Sequence, residues 1–173
     1  MFEILKKTVP FILLLLSGCV ALPENVVPVN GFRIDRYLGR WYEIARLDHS
    51  FERGLENVTA MYSYRQDGGI RVINRGFDPE KKEWKEAVGK AYFVGTPDIG
   101  RLKVSFFGPF YGGYNIIALD RENYAYALVC GPDKSYLWIL AREPHLSEQV
   151  KSGLIRMAAA LGFETDRLIH VRH

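Results

Sequence analysis

Gly39-Arg40-Trp41-Tyr42-Glu43-Ile44-Ala45 is the stretch on which the reading of the fold turns. Its aromatic and β-branched residues favour a strand, and successive side chains on a strand alternate between faces, so Trp41 and Glu43 share one face. Outward from it, candidate strands follow one another over 40–48, 57–66, 69–77, 83–94, 101–107, 113–119, 124–130 and 135–142. That spacing belongs to an all-β barrel or sandwich. Asp67-Gly68-Gly69 reads as a hairpin turn, Asp78-Pro79 and Thr96-Pro97-Asp98 as breakers, and Gly131-Pro132-Asp133 as the end of the seventh strand. The connections are short, which makes neighbouring strands antiparallel.

After Pro144 the period changes. Ser147 can cap a helix that carries Val150, Leu154, Met157, Ala158 and Leu161 on one face, and Gly162 ends it. A short strand over Leu168 to Val171 follows. The expected fold is all-β: an eight-stranded antiparallel up-and-down β-barrel with one C-terminal α-helix packed outside. Eight strands suffice to enclose a small ligand.

The chain of 173 residues shows no internal repeat or composition shift, so one domain is expected. Ten Tyr, ten Phe, three Trp and sixteen Gly suit strands and tight turns. A formal charge of +3 leaves no electrostatic footprint for nucleic acid. At the N-terminus, Lys6 and Lys7 precede an apolar run from Val9 to Leu16, the layout of a signal peptide over residues 1–18. The run falls short of the roughly 20 apolar residues that a spanning helix needs. Leu16-Ser17-Gly18-Cys19 resembles the lipobox of bacterial lipoproteins, which implies acylation of Cys19 and cleavage before it. Several acyl chains hold durably where one holds marginally. Val20 stands where an Asp would resemble an inner-membrane retention signal, which favours the outer membrane. Residues 19–30, with prolines at 23 and 28, read as a lipidated tether, and the folded domain as 31–173.

Three blocks resemble the lipocalin family in its bacterial lipoprotein branch. The opening stretch carries the Gly-x-Trp signature; Leu119-Asp120-Arg121-Glu122-Asn123-Tyr124-Ala125 looks like the Thr-Asp-Tyr turn; Leu137-Trp138-Ile139-Leu140-Ala141-Arg142 looks like the strand that ends in the family's arginine. Leu119 and Arg121 stand where Thr and Tyr are usual. The stretch from Lys103 to Tyr114 is also similar, and the resemblance spans about residues 31 to 171.

The resemblance implies a calyx whose floor is sealed by Gly39, Trp41 and Arg142, the arginine lying over the indole as a cation–π partner worth about 1 kcal/mol. Strand parity from that pair places Leu140, Trp138 and Tyr136 in the lumen. By resemblance, Tyr114, Ile116, Phe106, Val104, Leu102, Phe93, Val72, Asn74, Ala60 and Tyr62 join them as the pocket. Glu43, on the Trp41 face, would need a lumenal hydroxyl or arginine as partner. Arg75, Lys90 and Arg101 are candidates to meet a charged headgroup at the open end. The implied ligands are fatty acids or lysophospholipids, carried or stored in the envelope. The implied partners are that ligand and the membrane, with a homodimer left open.

Other chemistries find little support. The histidines at 49, 145, 170 and 173 lack zinc-ligand spacing, and no cofactor or metal is expected. No Gly-x-Ser-x-Gly turn presents a nucleophile. Cys130, the one thiol left once Cys19 is acylated, reads as a small buried hydrophobe. An enzyme on the same barrel is the rival reading and requires a reactive lumenal group, with Cys130 and Glu43 as its candidates. A barrel filled solid by its own side chains is a third.

Overall fold

Side-chain alternation sorts this chain into two cores, one inside a barrel and one between its wall and a helix. The computed structural model describes residues 20–173; the signal-peptide reading of residues 1–18 and the lipidation of Cys19 lie outside the described residues. A four-residue helix, α1 (Ile34–Tyr37), leads into β1 (Gly39–Arg46), β2 (Glu56–Tyr64), β3 (Ile70–Asp78) and β4 (Glu83–Phe93). There follow β5 (Arg101–Ser105), β6 (Gly112–Leu119), β7 (Tyr126–Cys130), β8 (Leu137–Ala141), α2 (Glu148–Ala160) and a two-residue β9 (Ile169–His170). Each strand pairs antiparallel with the next, and β1 pairs with both β2 and β8, which closes an eight-stranded barrel; β9 adds to the edge of β1.

β7 and β8 are apolar on both faces because both faces are buried. Ala127, Val129 and Leu140 belong to the lumenal core. Their neighbours Leu128, Cys130, Leu137, Ile139 and Ala141 pack outward with Leu154 and Ala158 of α2. β4 is the converse: Glu83 to Val88 are exposed, and no helix of the described residues covers them. Ser147 caps α2, its Oγ accepting from the Val150 amide at 3.4 Å, and Gly162 follows the helix with φ of +83°. Met157 departs from the expected helix face: it is 45% exposed, whereas Leu154 and Ala158 carry the contact.

Residues 20–30 do not stand off as a free tether. Val26 is buried in the outer core and Val29 in the lumenal core. The Val29 amide donates to the Ile116 carbonyl and its carbonyl accepts from the Gly100 amide, both at 2.8 Å. Gly100 permits this approach, since a Cβ there would stand 2.7 Å from Val29 Cγ2. The Val20 carbonyl accepts from Arg101 Nη2 at 3.2 Å, so the segment is held against the wall from its first described residue. Prolines explain the extended path, and valines between them supply the apolar contacts.

Truncating one such valine removes buried methyls, so Val26→Ala should lower the unfolding free energy by about 1–3 kcal/mol. Urea denaturation reads the change; an unaltered midpoint would return the segment to a free tether.

Candidate functional site

Strand register sets which end of the barrel is closed. Gly39 pairs with Tyr62 and Tyr42 with Ala141, so β1 begins and β8 ends at the same rim. There Trp41 is wholly buried, its Nε1 donating to the Tyr37 carbonyl at 2.8 Å. The Arg142 guanidinium lies 4.1 Å from the Trp41 ring centroid and donates to the carbonyls of Arg40 at 2.8 Å and Arg36 at 2.7 Å. Gly39 holds φ of +94° beside it, where a Cβ would stand 3.4 Å from Arg142 Nη1. Asp120 accepts from the amides of Glu122 and Ala125, and the Arg36 guanidinium covers the Tyr124 ring at 4.3 Å.

Above this floor opens a cavity of about 630 Å³, within the roughly 300–1,000 Å³ span of small-molecule sites. Of the residues placed in the pocket by sequence, Trp138, Tyr136, Tyr114 and Phe106 line it. So do Val104, Val72, Asn74 and Tyr62, with Leu140, Leu102 and Ala60. Ile116 and Phe93 do not. Both side chains sit lower, where residues from outside the eight strands fill the lumen: Ile116 is wholly buried against the Val29 segment, and Phe93 packs edge-on against Phe32 with ring centroids 6.2 Å apart.

The three basic candidates separate. Arg75 borders the cavity, with its guanidinium 4.2 Å from the Trp84 ring centroid. Lys90 is not among the lining residues and points its Nζ toward the Tyr111 ring, 5.9 Å from the centroid. Arg101 is spent on the Val20 carbonyl against the outer wall. Lys85, which the sequence reading passed over, borders the cavity but is paired with Asp78 at 2.6 Å.

A buried polar cluster sits in the upper wall. Glu43 accepts from Arg46 Nη1 at 2.7 Å, and Arg46 Nη2 also donates to the Glu52 carbonyl at 2.7 Å. Glu52 takes the Trp138 indole N–H on Oε2 at 3.2 Å. Simple alternation puts Arg46 outside, but the register shifts between Glu43 and Ala45, a bulge that turns Arg46 inward opposite Trp138. That bulge hid the partner of Glu43 from the sequence. Both Glu43 and Glu52 line the cavity, and burial raises both carboxyls; Glu43 is pushed well up, with the Glu52 charge beside it adding to the effect. Arg46 reaches the Glu43 carboxyl and the Glu52 backbone carbonyl, so the Glu52 carboxyl is offset by the Trp138 indole N–H and by the nearby Arg46 charge, not by a direct ion pair.

His49 stacks on Phe51 with centroids 4.1 Å apart and lies 5.1 Å from Trp138. Burial, and then the Arg46 charge, pulls its imidazole down to about 4. Phe51, Phe107 and Phe110 are exposed, and they border the cavity as an aromatic rim. At the inner end, Tyr114 Oη lies 2.7 Å from Tyr37 Oη and 2.8 Å from Tyr62 Oη. Tyr37 escaped notice because a four-residue helix has no periodicity to read. Cys130 faces α2 in the outer core, and burial pushes its thiol up to about 12.

A depressed imidazole favours the fold above its unfolded value near 6.5, and that contribution is lost as pH falls toward 4. The raised carboxyls act with the opposite sign, favouring the fold at low pH and losing that contribution as pH rises above about 4.5. Urea midpoints measured from pH 7 to 4 should therefore fall more steeply in the wild-type chain than in His49→Phe. Parallel curves would place the imidazole in water.

Comparison with known proteins bears on this geometry. A model described as a lipocalin-like domain matches residues 32–173. The outer membrane lipoprotein Blc of Vibrio cholerae is 58% identical over 158 residues, covering 91% of this chain and 92% of that protein. The protein of the same name from Escherichia coli K12 is 59% identical over 150 residues, covering 87% and 84%. Mouse apolipoprotein D is 31% identical over 153 residues, covering 84% and 79%. Among solved structures, insecticyanin from the tobacco hornworm Manduca sexta superposes with a TM-score of 0.69 at 22% identity, covering 88% and 87%, a likeness of fold.

Proposed function

From the premise that this chain belongs to the lipocalin family, we propose that it binds fatty acids or lysophospholipids in its calyx. It does so while anchored by an acylated Cys19 to the periplasmic face of a bacterial outer membrane. The relatives' printed name, outer membrane lipoprotein, supports the placement, as does the Leu-Ser-Gly-Cys sequence. The observation that carries the ligand class is the cavity of about 630 Å³, walled by Val72, Val104, Leu102, Leu140 and aromatic rings and open at one rim. An acyl chain entering it exchanges water for apolar wall, a gain of about 0.8 kcal/mol per methylene.

That gain sets a slope. Affinity should rise roughly fourfold for each methylene added to a saturated chain until the cavity is full, then level off. Native mass spectrometry of residues 20–173, which hold both cores, reads bound lipid, chain-length preference and oligomeric state together. No lipid bound at any chain length would overturn the proposal. For the anchor, Cys19→Ala should leave the membrane fraction, and continued sedimentation with membranes would contradict acylation there.

One observation favours a second reading, chemistry on the bound lipid: Glu43 and Glu52 present to the lumen two carboxyls that burial raises. Cys130 contributes nothing to it, since its side chain packs against α2. Recovery of every lumenal lipid chemically unchanged after long incubation would remove this reading.

A further inference from the structure

We propose that the inner end of the cavity is a built site for an uncharged oxygen. The preferred ligand is then a lipid that enters with a hydroxyl, ester or carbonyl oxygen leading. This rests on the calyx reading above and goes beyond it, because that reading leaves the direction of the ligand undetermined.

Counting protons makes the case. Tyr37, Tyr114 and Tyr62 form a chain of three hydroxyls with two contacts, at 2.7 and 2.8 Å. Three hydroxyls carry three protons, and two contacts use two. Whichever way the O–H groups turn, one donor is left over, and no other acceptor for it occurs among the described residues. All three side chains line the cavity, amid Val72 and Leu140 and above Trp41. An unmet donor in such surroundings is costly, and a ligand oxygen relieves it.

The charge of that oxygen is also constrained. Arg142, a cation at the floor, lies over the Trp41 ring with N–H groups turned to the carbonyls of Arg36, Arg40 and Tyr124. The tyrosines themselves resist ionisation because they are buried. A carboxylate or phosphate pushed to this depth would lose its hydration with no free cation beside it among the described residues. A neutral oxygen loses far less. A charged group at the ligand's other end stays at the mouth, near Arg75 and water.

The wall offers a complementary acceptor. Asn74 Oδ1 is buried without a hydrogen-bond partner, and Asn74 lines the cavity. Ala60 pairs with Asn74 and Tyr62 with Val72, so Asn74 stands one layer nearer the mouth than Tyr62 on the adjacent strand. A leading hydroxyl, which donates and accepts, suits this pair of unmet groups best.

Three probes of one chain length separate the possibilities: oleyl alcohol, methyl oleate and 1-octadecene, read by Trp138 fluorescence. The wild-type chain should bind the two oxygenated probes about five- to tenfold more tightly than the alkene, with the alcohol first. In the triple variant Tyr37→Phe, Tyr62→Phe, Tyr114→Phe that gap should close to within about twofold. A preference that persists in the triple variant, or equal wild-type affinities for all three, would overturn the site and leave the calyx reading standing. A wild-type chain that binds none of them overturns both. A second readout needs no variant: tyrosine ¹³Cζ resonances of the wild-type chain should shift with the alcohol and stay in place with the alkene. Equal shifts with both would also overturn it.

Discussion

The guanidinium of Arg142 ties four parts of the chain together at one rim. It follows β8, covers the Trp41 ring of β1 and donates to carbonyls before β1, within it and in the β6–β7 turn. Charge-assisted hydrogen bonds of this kind contribute about 1.5–3 kcal/mol each, and the cation–π contact about 1–2 kcal/mol where desolvated. Trp41 in turn supports Tyr37, whose ring lies 4.6 Å from it and whose hydroxyl begins the floor of the cavity. A barrel open at both ends would fill with water or with its own side chains. Sealed at one end, it keeps an apolar space with a single mouth.

Polar groups divide that space by height. Neutral hydroxyls occupy the bottom, aliphatic and aromatic walls the middle, and the Glu43–Arg46–Glu52 cluster with His49 the upper wall. The cluster is an expensive thing to bury, since each desolvated charge costs several kcal/mol that only close pairing recovers. Its arrangement limits the cost: Arg46 meets the Glu43 carboxyl, burial raises both carboxyls, and burial lowers the His49 imidazole, so each group is shifted toward its neutral form. Trp138 is tied into it through Glu52, so the widest ring of the cavity wall is held by a hydrogen bond as well as by packing.

Strand and helix placement was readable because two periods, 2 and 3.6, carry it and because Gly, Pro and Asp mark the turns; the eight expected strands match β1–β8 to within a few residues. Parity carried further, placing Leu140, Trp138 and Tyr136 in the lumen, and the family resemblance named the other lumenal residues. It could not give depth: Ile116 and Phe93 have the inward parity but lie where Val29 and Phe32 already fill the barrel. It also could not see the bulge that turns Arg46 inward, because one extra residue leaves no mark in the sequence. The segment 20–30 read as a tether since prolines and the absence of a period carry no sign of docking. Its valines at 26 and 29 are distinguishable from exposed Val27 only by the surface they meet.

The three tryptophans mark three locations: Trp41 in the floor, Trp138 in the cavity wall and Trp84 on the outer face. Trp84 borders a shallower groove of about 400 Å³ with Tyr42, Met61 and Ile73. Fatty acids brominated along the chain quench only the indoles that they approach, and variants retaining a single tryptophan assign the quenching. An acyl chain held in the lumen quenches Trp138 and spares Trp84. Quenching of Trp84 with Trp138 unaffected would place the lipid on the outside of the barrel and contradict the calyx as its site.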